Sequence, residues 1–505
     1  MIRWESVVGA ALVGLLAHQA PAATPLEHLR AAPKPRFRLG HTLPPLTRWG
    51  WRMSHDAQVE LTEHWGYALE MGEANAGLVK ELDDPKSLPS RLCALTASDP
   101  QRYPLSVLTY RACCDAKFSE TLPAETWCQD ADGKPSGEAK WKTWSPEAPS
   151  EAFQKAAAAA VEPLKKIQEK APIAVILNGG EYALSVSGHC LKVWEKDPKV
   201  VKAKGEKDWF DYISERKARQ EMIITEAIRS ACPNRTLYIF YYIEGCPHRR
   251  SDQSGWKAWA WDYKPMRTIC DLPSASIYYL HFNSGWTGNN DMLSQALNAT
   301  AQHLALGDPL SYDWLNAGWT REKLGEKAFS DMEHYMGYLK CYYTAGMIGG
   351  VAGYFAYPKG GFDGDIAEQP PSWLAQMLVL GHAHALFSHL EEFLRKGDLL
   401  PAPDKHRWSK DLPAYEFPTG ELSASLGPGA NARVLARKHR ERDEWLIAAW
   451  AAGGPDRQVI VTIPGLGTVQ LDARACGSVY RAALKDGQPQ LRRVDEDGMN
   501  PTAGL

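Results

Sequence analysis

The sequence lacks most of the short motifs that would fix its chemistry at once. None of its ten cysteines forms a C-x-x-C pair, which argues against a zinc ribbon or a thioredoxin-type site. There is no P-loop, no G-x-S-x-G elbow and no H-E-x-x-H helix. Calcium loops of the G-D-P-D-x-D type are missing, and GGFDGDIAE (360–368) is only a weak hint of calcium. No metal or other cofactor is therefore expected. Neither charge sign is in excess: 57 Lys and Arg face 60 Asp and Glu, a net charge of −3. Without a basic field, nucleic acid is not an expected partner. Beyond the N-terminus no stretch reaches ~18 uninterrupted apolar residues, so nothing there reads as membrane-spanning. No repeat recurs on a scale of roughly 20–50 residues.

What is present is aromatic. The chain has 19 Trp and 20 Tyr in 505 residues. Trp combines a large apolar face with an N–H donor, so it suits both packed cores and binding clefts. Core packing is expected to account for about half of them. Charged residues at 23 % and hydrophobic residues at 44 % are ordinary for a globular chain. The N-terminus reads as a leader: Arg3, then the apolar stretch VVGAALVGLLA (7–17), then an A-x-A site at Ala20–Ala22. Residues 1–22 are expected to be a signal peptide and the protein to be secreted or periplasmic. Export permits disulfides, and Cys113 or Cys114 could close a short loop with Cys128.

From about 40 to 400, apolar runs alternate with helical patterns. Eight runs read as strands: 46–53, 65–72, 103–112, 172–181, 236–245, 275–283, 309–319 and 347–358. Helical patterns occupy 209–232, 330–346 and 371–397, and KAAAAAVEPLKK (155–166) reads as an Ala-rich helix start. Strand–helix alternation with eight units predicts an α/β fold, a (β/α)8 TIM barrel over 40–400. The short strands and Gly/Pro turns of 401–505 predict a small antiparallel β-sandwich domain.

In such a barrel the active site lies at the carboxyl ends of the strands. The candidate strands end on Trp49 and Trp51; on Asn178, Glu181 and Tyr182; on Tyr242, Glu244, His248, Arg249 and Arg250; on Tyr278, His281, Asn283 and Trp286; on Asp313 and Trp314; and on Tyr357. Aromatic faces stack on sugar C–H surfaces, while Asn, His and carboxylates bind hydroxyls. Glycosidic cleavage usually needs two carboxyl groups, one to protonate the leaving oxygen and one as nucleophile or base. Glu181 and Glu244 are the expected pair, because each ends a convincing apolar run, and Asp313 is the reserve. A strand-end Glu can equally be a solvated or capping residue. The run CPHRR (246–250) is either a solvated basic loop or a site for sulfate or carboxylate, which Arg forks onto well. Position 248 is His, so the Cys-x-Pro-x-Arg signature of sulfatases is not met.

This layout resembles secreted glycoside hydrolases with a (β/α)8 barrel and a C-terminal β-sandwich, over nearly the whole mature chain. ILNGGEYAL (176–184) looks like the catalytic fourth-strand end of retaining barrels, and EWLIAAWAAGGPDRQVIVTIPGLGTVQLDA (444–473) like the small sandwich. In the commonest retaining clan Asn directly precedes the Glu and the second Glu ends strand seven. Here two glycines intervene and the seventh run shows Asp313. A pair on strands four and five looks instead like the endo-fucanases that cut sulfated fucans. That resemblance implies Glu181 as nucleophile, where the family pattern has Asp, and Glu244 as acid/base, or the reverse. The expectation is an endo-acting, retaining glycosidase on an anionic polysaccharide. A non-catalytic carbohydrate-binding protein and a polysaccharide lyase are the competing classes.

Overall fold

The computed structural model describes residues 54–65, 70–109, 123–138, 141–179, 193–233, 237–244, 272–277, 314–315, 332–346, 386–400, 406–408, 413–415, 432–451 and 455–495, with Ile269, Val379, His382 and Ala383 besides. The expected leader and the expected strands 46–53 and 347–358 lie outside them. The chain divides into two compact units, Ala68–Ile277 and Met1–Tyr67 with Tyr278–Leu505. No helix among the described residues is long and apolar enough to cross a membrane.

The first unit is α/β. A helix, α1 (His55–Trp65), precedes it in the chain and ends where the sequence pattern suggests the start of a strand. Strand β1 (Glu70–Glu73) is followed by helices α2 (Ala76–Glu81) and α3 (Leu88–Ser98), then β2 (Leu105–Leu108). After a small hairpin of β3 (Gly137–Glu138) and β4 (Trp141–Lys142) come α4 (Ser150–Lys170) and β5 (Ile173–Gly179). Helices α5 (Pro198–Lys204) and α6 (Trp209–Ala231), β6 (Leu237–Glu244) and β7 (Leu272–Ile277) complete it. The strands β1-β2-β5-β6-β7 lie side by side in chain order, each pair parallel.

That order never reverses, so it has no topological switch point of the doubly wound kind. Crossovers of one hand then put every helix on the same face. The helices agree: α2 and α3 pack on α4, and α4 packs along α6. The pairing of α4 with α6 is parallel, with Gln168 Nε2 donating to the Ala231 carbonyl at 2.7 Å near their last turns. Helix α4 carries Pro163 in its interior, a residue that usually costs a helix about 3 kcal/mol. Its buried face, which includes Phe153, Ala156, Ala160, Leu164 and Ile167, offsets that. In β2 and β5 residues of both parities are buried, Val107 and Ile176 as completely as Ser106 and Val175. Such strands need a second covering layer besides the helices. Among the described residues the sheet is not closed into a barrel.

The second unit holds β8 (Trp314–Leu315), α7 (Met332–Thr344), α8 (Glu391–Lys396) and nine further strands among the described residues. Strands β9 (Gly397–Leu400), β12 (Ala432–His439), β13 (Glu444–Ala451), β16 (Ser478–Lys485) and β17 (Gln488–Arg493) form one antiparallel sheet in the order β17-β16-β13-β12-β9. Strands β10 (His406–Trp408) and β11 (Pro413–Tyr415) make a separate small hairpin. Strands β14 (Arg457–Ile463) and β15 (Gly467–Ala473) form another. The β14–β15 hairpin shares a core with the sheet, through Val459, Val461, Val469 and Leu471 against Val434, Trp445, Ile447 and Ala449. The opposite face of the sheet takes α7. This explains why β13 is buried at seven consecutive positions: odd residues face the hairpin, even ones the helix. Trp450 lies against α7 at Gly337, where an added Cβ would come within 2.2 Å of its ring. Buried Arg437 donates to the carbonyls of Phe393, Leu394 and Gly397 at the end of α8 and of Thr344 at the end of α7. It thereby satisfies acceptors that helix C-termini leave open.

No disulfide occurs among the described residues. Cys93, Cys232, Cys341 and Cys476 are buried thiols. Burial pushes Cys93 and Cys232 up to about 11, which makes them poor nucleophiles. The Cys128 thiol donates to the Trp144 carbonyl, and Cys113 and Cys114 lie outside the described residues.

Candidate functional site

The carboxyl edge of the parallel sheet is where chemistry would sit in this topology. Strand β5 is a run of branched apolar residues that ends Leu177-Asn178-Gly179. Strand β6, next to it, ends on Glu244. Asn178 pairs with Phe240 and Gly179 with Tyr241, so β6 continues three residues beyond the last described pair. Between Tyr241 and Ile243 the pairing with β7 advances two residues on β6 and one on β7. Tyr242 is the extra residue of that bulge, a device that bends a strand and re-aims the residues after it.

Of the residues expected from sequence, the structure thus puts Asn178, Tyr242 and Glu244 at one end of two neighbouring strands. Trp314 opens β8 in the other unit. Trp49, Trp51, Glu181, Tyr182, His248, Arg249, Arg250, Tyr278, His281, Asn283, Trp286, Asp313 and Tyr357 lie outside the described residues.

Two edge residues are not anticipated by the sequence pattern. Glu73 ends β1 and is half-buried. Thr109 follows β2 and gives both its N–H and its hydroxyl to the Leu177 carbonyl, at 2.9 and 3.4 Å. The second expected strand stops at 72, one residue short of Glu73. The signal that could have found it is the Gly72-Glu73 pair before the Asn75 helix cap.

The connections leaving this edge are well built. Helices α4 and α6 return antiparallel to the strands, so their N-termini and the segments before them lie at the carboxyl side. Trp127 and Trp144 pack at 5.3 Å between ring centroids, and Trp144 stacks on Phe153 at 5.6 Å. The Trp194 indole N–H donates to the Trp144 carbonyl at 3.0 Å. These three Trp are buried and belong to the support of the edge, not to its binding surface. Buried Asp197 ties two connections together. Its Oδ1 caps α5 through the N–H groups of Lys199 and Val200, and its Oδ2 accepts from the Gln129 N–H at 2.9 Å. At the start of α6 the Tyr212 hydroxyl donates to Glu147 at 2.6 Å, and Arg216 pairs with the same carboxylate oxygen. Burial, and then the Glu147 carboxylate, push the Tyr212 phenol far up, so it stays a donor. Arg219 reaches Ser150 Oγ at 3.0 Å, joining the first turn of α4 to α6. Val193–Asp197, where the description of the chain resumes after β5, is thus a braced anchor.

Among the described residues no group of three or more His, Cys, Asp or Glu side chains could hold a metal ion.

No protein-family model matches the sequence, and no curated protein matches it. Solved structures do resemble it. An endo-β1,6-glucanase is similar at a TM-score of 0.44 and 9 % identity, over 90 % of this chain and 93 % of that one. A GH36 α-galactosidase of Geobacillus stearothermophilus in complex with raffinose gives 0.45 and 13 %, over 93 % of this chain; the chain spans 58 % of its length. An α-amylase from Lactobacillus plantarum gives 0.39 and 13 %, over 82 % of each chain.

Proposed function

We propose that this chain is an exported glycoside hydrolase that cuts within a polysaccharide by a two-carboxylate mechanism. One observation carries the reading: Glu244 ends β6 at the carboxyl edge of a parallel sheet, beside β5, whose last residue stands two before Glu181. Neighbouring strands lie ~4.8 Å apart, the scale of separation at which retaining glycosidases hold their two carboxyl groups. The unreversed strand order, the single helical layer and the burial of both sheet faces support closure into a (β/α)8 barrel.

In this reading Glu244 protonates the leaving oxygen and Glu181 attacks the anomeric carbon, with retention of configuration. Retention requires the carboxyl groups to stand ~5–5.5 Å apart, and ~6.5–9.5 Å would mean inversion. His248, Arg249 and Arg250 follow Glu244 within six residues and supply cations for sulfate or uronate groups. Asn178 and Tyr242 line the same strand ends as hydroxyl partners. The aromatic residues Trp49, Trp51, Tyr182, Tyr278, Trp286, Trp314 and Tyr357, with His281, Asn283 and Asp313, are the further sugar-contacting candidates that this reading takes from the sequence. The apolar stretch 7–17 supports export to a secreted or periplasmic location.

A panel of sulfated and neutral polysaccharides, read by reducing-end release and product size, tests this. Rapid loss of polymer length on a sulfated member is the expected result. Binding to polymers with no new reducing ends anywhere in the panel would contradict hydrolysis. Products with an ultraviolet-absorbing unsaturated end would mean a lyase.

A further inference from the structure

We infer that the outward face of α5, with the residue before its cap, is a docking strip for the anionic groups of a polysaccharide, built on Lys196, Lys199 and Lys202; the inference rests on the anionic-polysaccharide reading. The stretch 196–204 holds four lysines and one carboxylate, Asp197. Both Asp197 oxygens accept from backbone N–H groups, those of Gln129, Lys199 and Val200. Lys196, Lys199 and Lys202 are exposed, and none of the three ammonium groups has an ion-pair partner among the described residues. Other lysines of this unit are matched: Lys165 by Glu162, Lys166 by Glu169, Lys170 by Asp83 and Lys207 by Glu215.

The strip lies at the carboxyl side of the sheet. Its start is held to the connection that enters α4, through Trp194 on the Trp144 carbonyl and Asp197 on the Gln129 N–H. Its end is held to the start of α6: Lys204 Nζ stands 5.2 Å from the Trp209 ring centroid and donates to the carbonyls of Gly205 and Lys207. On the inner face of α5, Val200 is fully buried in a cluster with Val193, Trp194, Tyr212 and Ile213. One face of α5 is thus fixed. Lys199 and Lys202, three residues apart, are neighbours on the face left open.

The chemistry selects the partner. Lysine is a compact charge on a flexible stem, which suits sulfate or uronate groups spaced along a polymer better than one planar anion held by a fork. Exposed Pro198 and Val201 stand beside the lysines and offer apolar contact to the C–H face of a sugar. Three cations in a chain of net charge −3 are too small an electrostatic footprint for nucleic acid. An anionic polysaccharide that crosses the carboxyl edge would meet these cations outside the strand ends.

The test measures binding of the full chain to dextran sulfate and to unsulfated dextran of the same length. It compares wild type, a strip variant (Lys196→Gln, Lys199→Gln and Lys202→Gln together) and a control variant (Lys80→Gln, Lys86→Gln and Lys165→Gln together). The control removes the same charge at the amino side of the sheet, where α2 and α4 end and Lys170 pairs with Asp83. The strip variant is expected to bind dextran sulfate roughly 3- to 100-fold more weakly at low salt, the control to be little changed, and the gap to close as salt rises. Lys199→Gln and Lys202→Gln alone should each give part of the loss, which keeps the test open if the triple variant is unstable. Equal binding by the strip and control variants overturns the inference and leaves the hydrolase reading intact. A wild type that binds both dextrans alike overturns the inference and the anionic substrate with it. Single-stranded DNA bound as tightly as dextran sulfate, and lost with it in the strip variant, would overturn the polysaccharide as partner.

Discussion

Glu391 is the first residue of α8 and sits in the second unit with little solvent around it. Burial raises its carboxyl from 4.5 to about 8, and Arg395 pulls it back only in part. Between those two values the folded chain holds a proton that the unfolded chain has released. Stability must then fall as the pH rises through that window. Denaturant unfolding of the second unit at about pH 5 and about pH 8 should show the loss, and Glu391→Gln should abolish most of the difference. An equal pH dependence in the variant would assign the effect elsewhere. Asp495 is the opposite case. Burial would raise it, but Lys340 at 2.7 Å and Arg493 at 2.8 Å hold it down to about 2. Its contribution is therefore present above its ordinary range and is lost only as the pH falls toward 2.

At the scale of elements, close approach decides more than propensity. Helix α7 can lie on β13 because position 337 has no side chain: a Cβ there would strike the Trp450 ring and come within 2.5 Å of the Ala475 carbonyl. Gly337→Ala improves helix propensity by about 1 kcal/mol yet should destabilise the second unit by at least about 2 kcal/mol. A thermal melt reads the sign directly, and a stabilised variant would mean that α7 does not dock as described. The same contrast governs what can be read from sequence. Strands β5 and β6 and helix α6 are legible, because seven or more residues of one pattern overwhelm local noise. Strand β1 lies later than its pattern suggests, since its four residues include a bulge glycine and follow a helix that ends on Trp65. Strand β7 begins Leu272-Pro273, ahead of the aromatic run that suggests it, because a proline early in a strand hides the β pattern. Of α4 only the Ala-rich stretch 155–166 is legible, whereas its buried face carries the helix from Ser150 to Lys170.

At the scale of the molecule, the change of texture near 400, from strand–helix alternation to short strands with Gly turns, anticipates the antiparallel strands β12 to β17, whereas the division of the chain after Ile277 has no such signal. Glu244 at a strand end is legible for the same reason as β6 itself. The place of Glu73 at the end of β1 is not, because which strands are neighbours is not written in any local pattern. The expected loop between Cys113 or Cys114 and Cys128 rests on a leader-like N-terminus, which permits a bridge without requiring one, and Cys128 is a free thiol. The described thiols are instead protected by burial.

The central claim is that the β5–β6 edge carries the hydrolytic carboxyls. The most direct measurement is reducing-end release by Glu244→Gln beside wild type on the polymer that the wild type cuts. The account predicts a loss of about 10²- to 10⁴-fold in kcat, with polymer binding and the thermal midpoint retained. Wild-type cleavage rates in Glu244→Gln would contradict it.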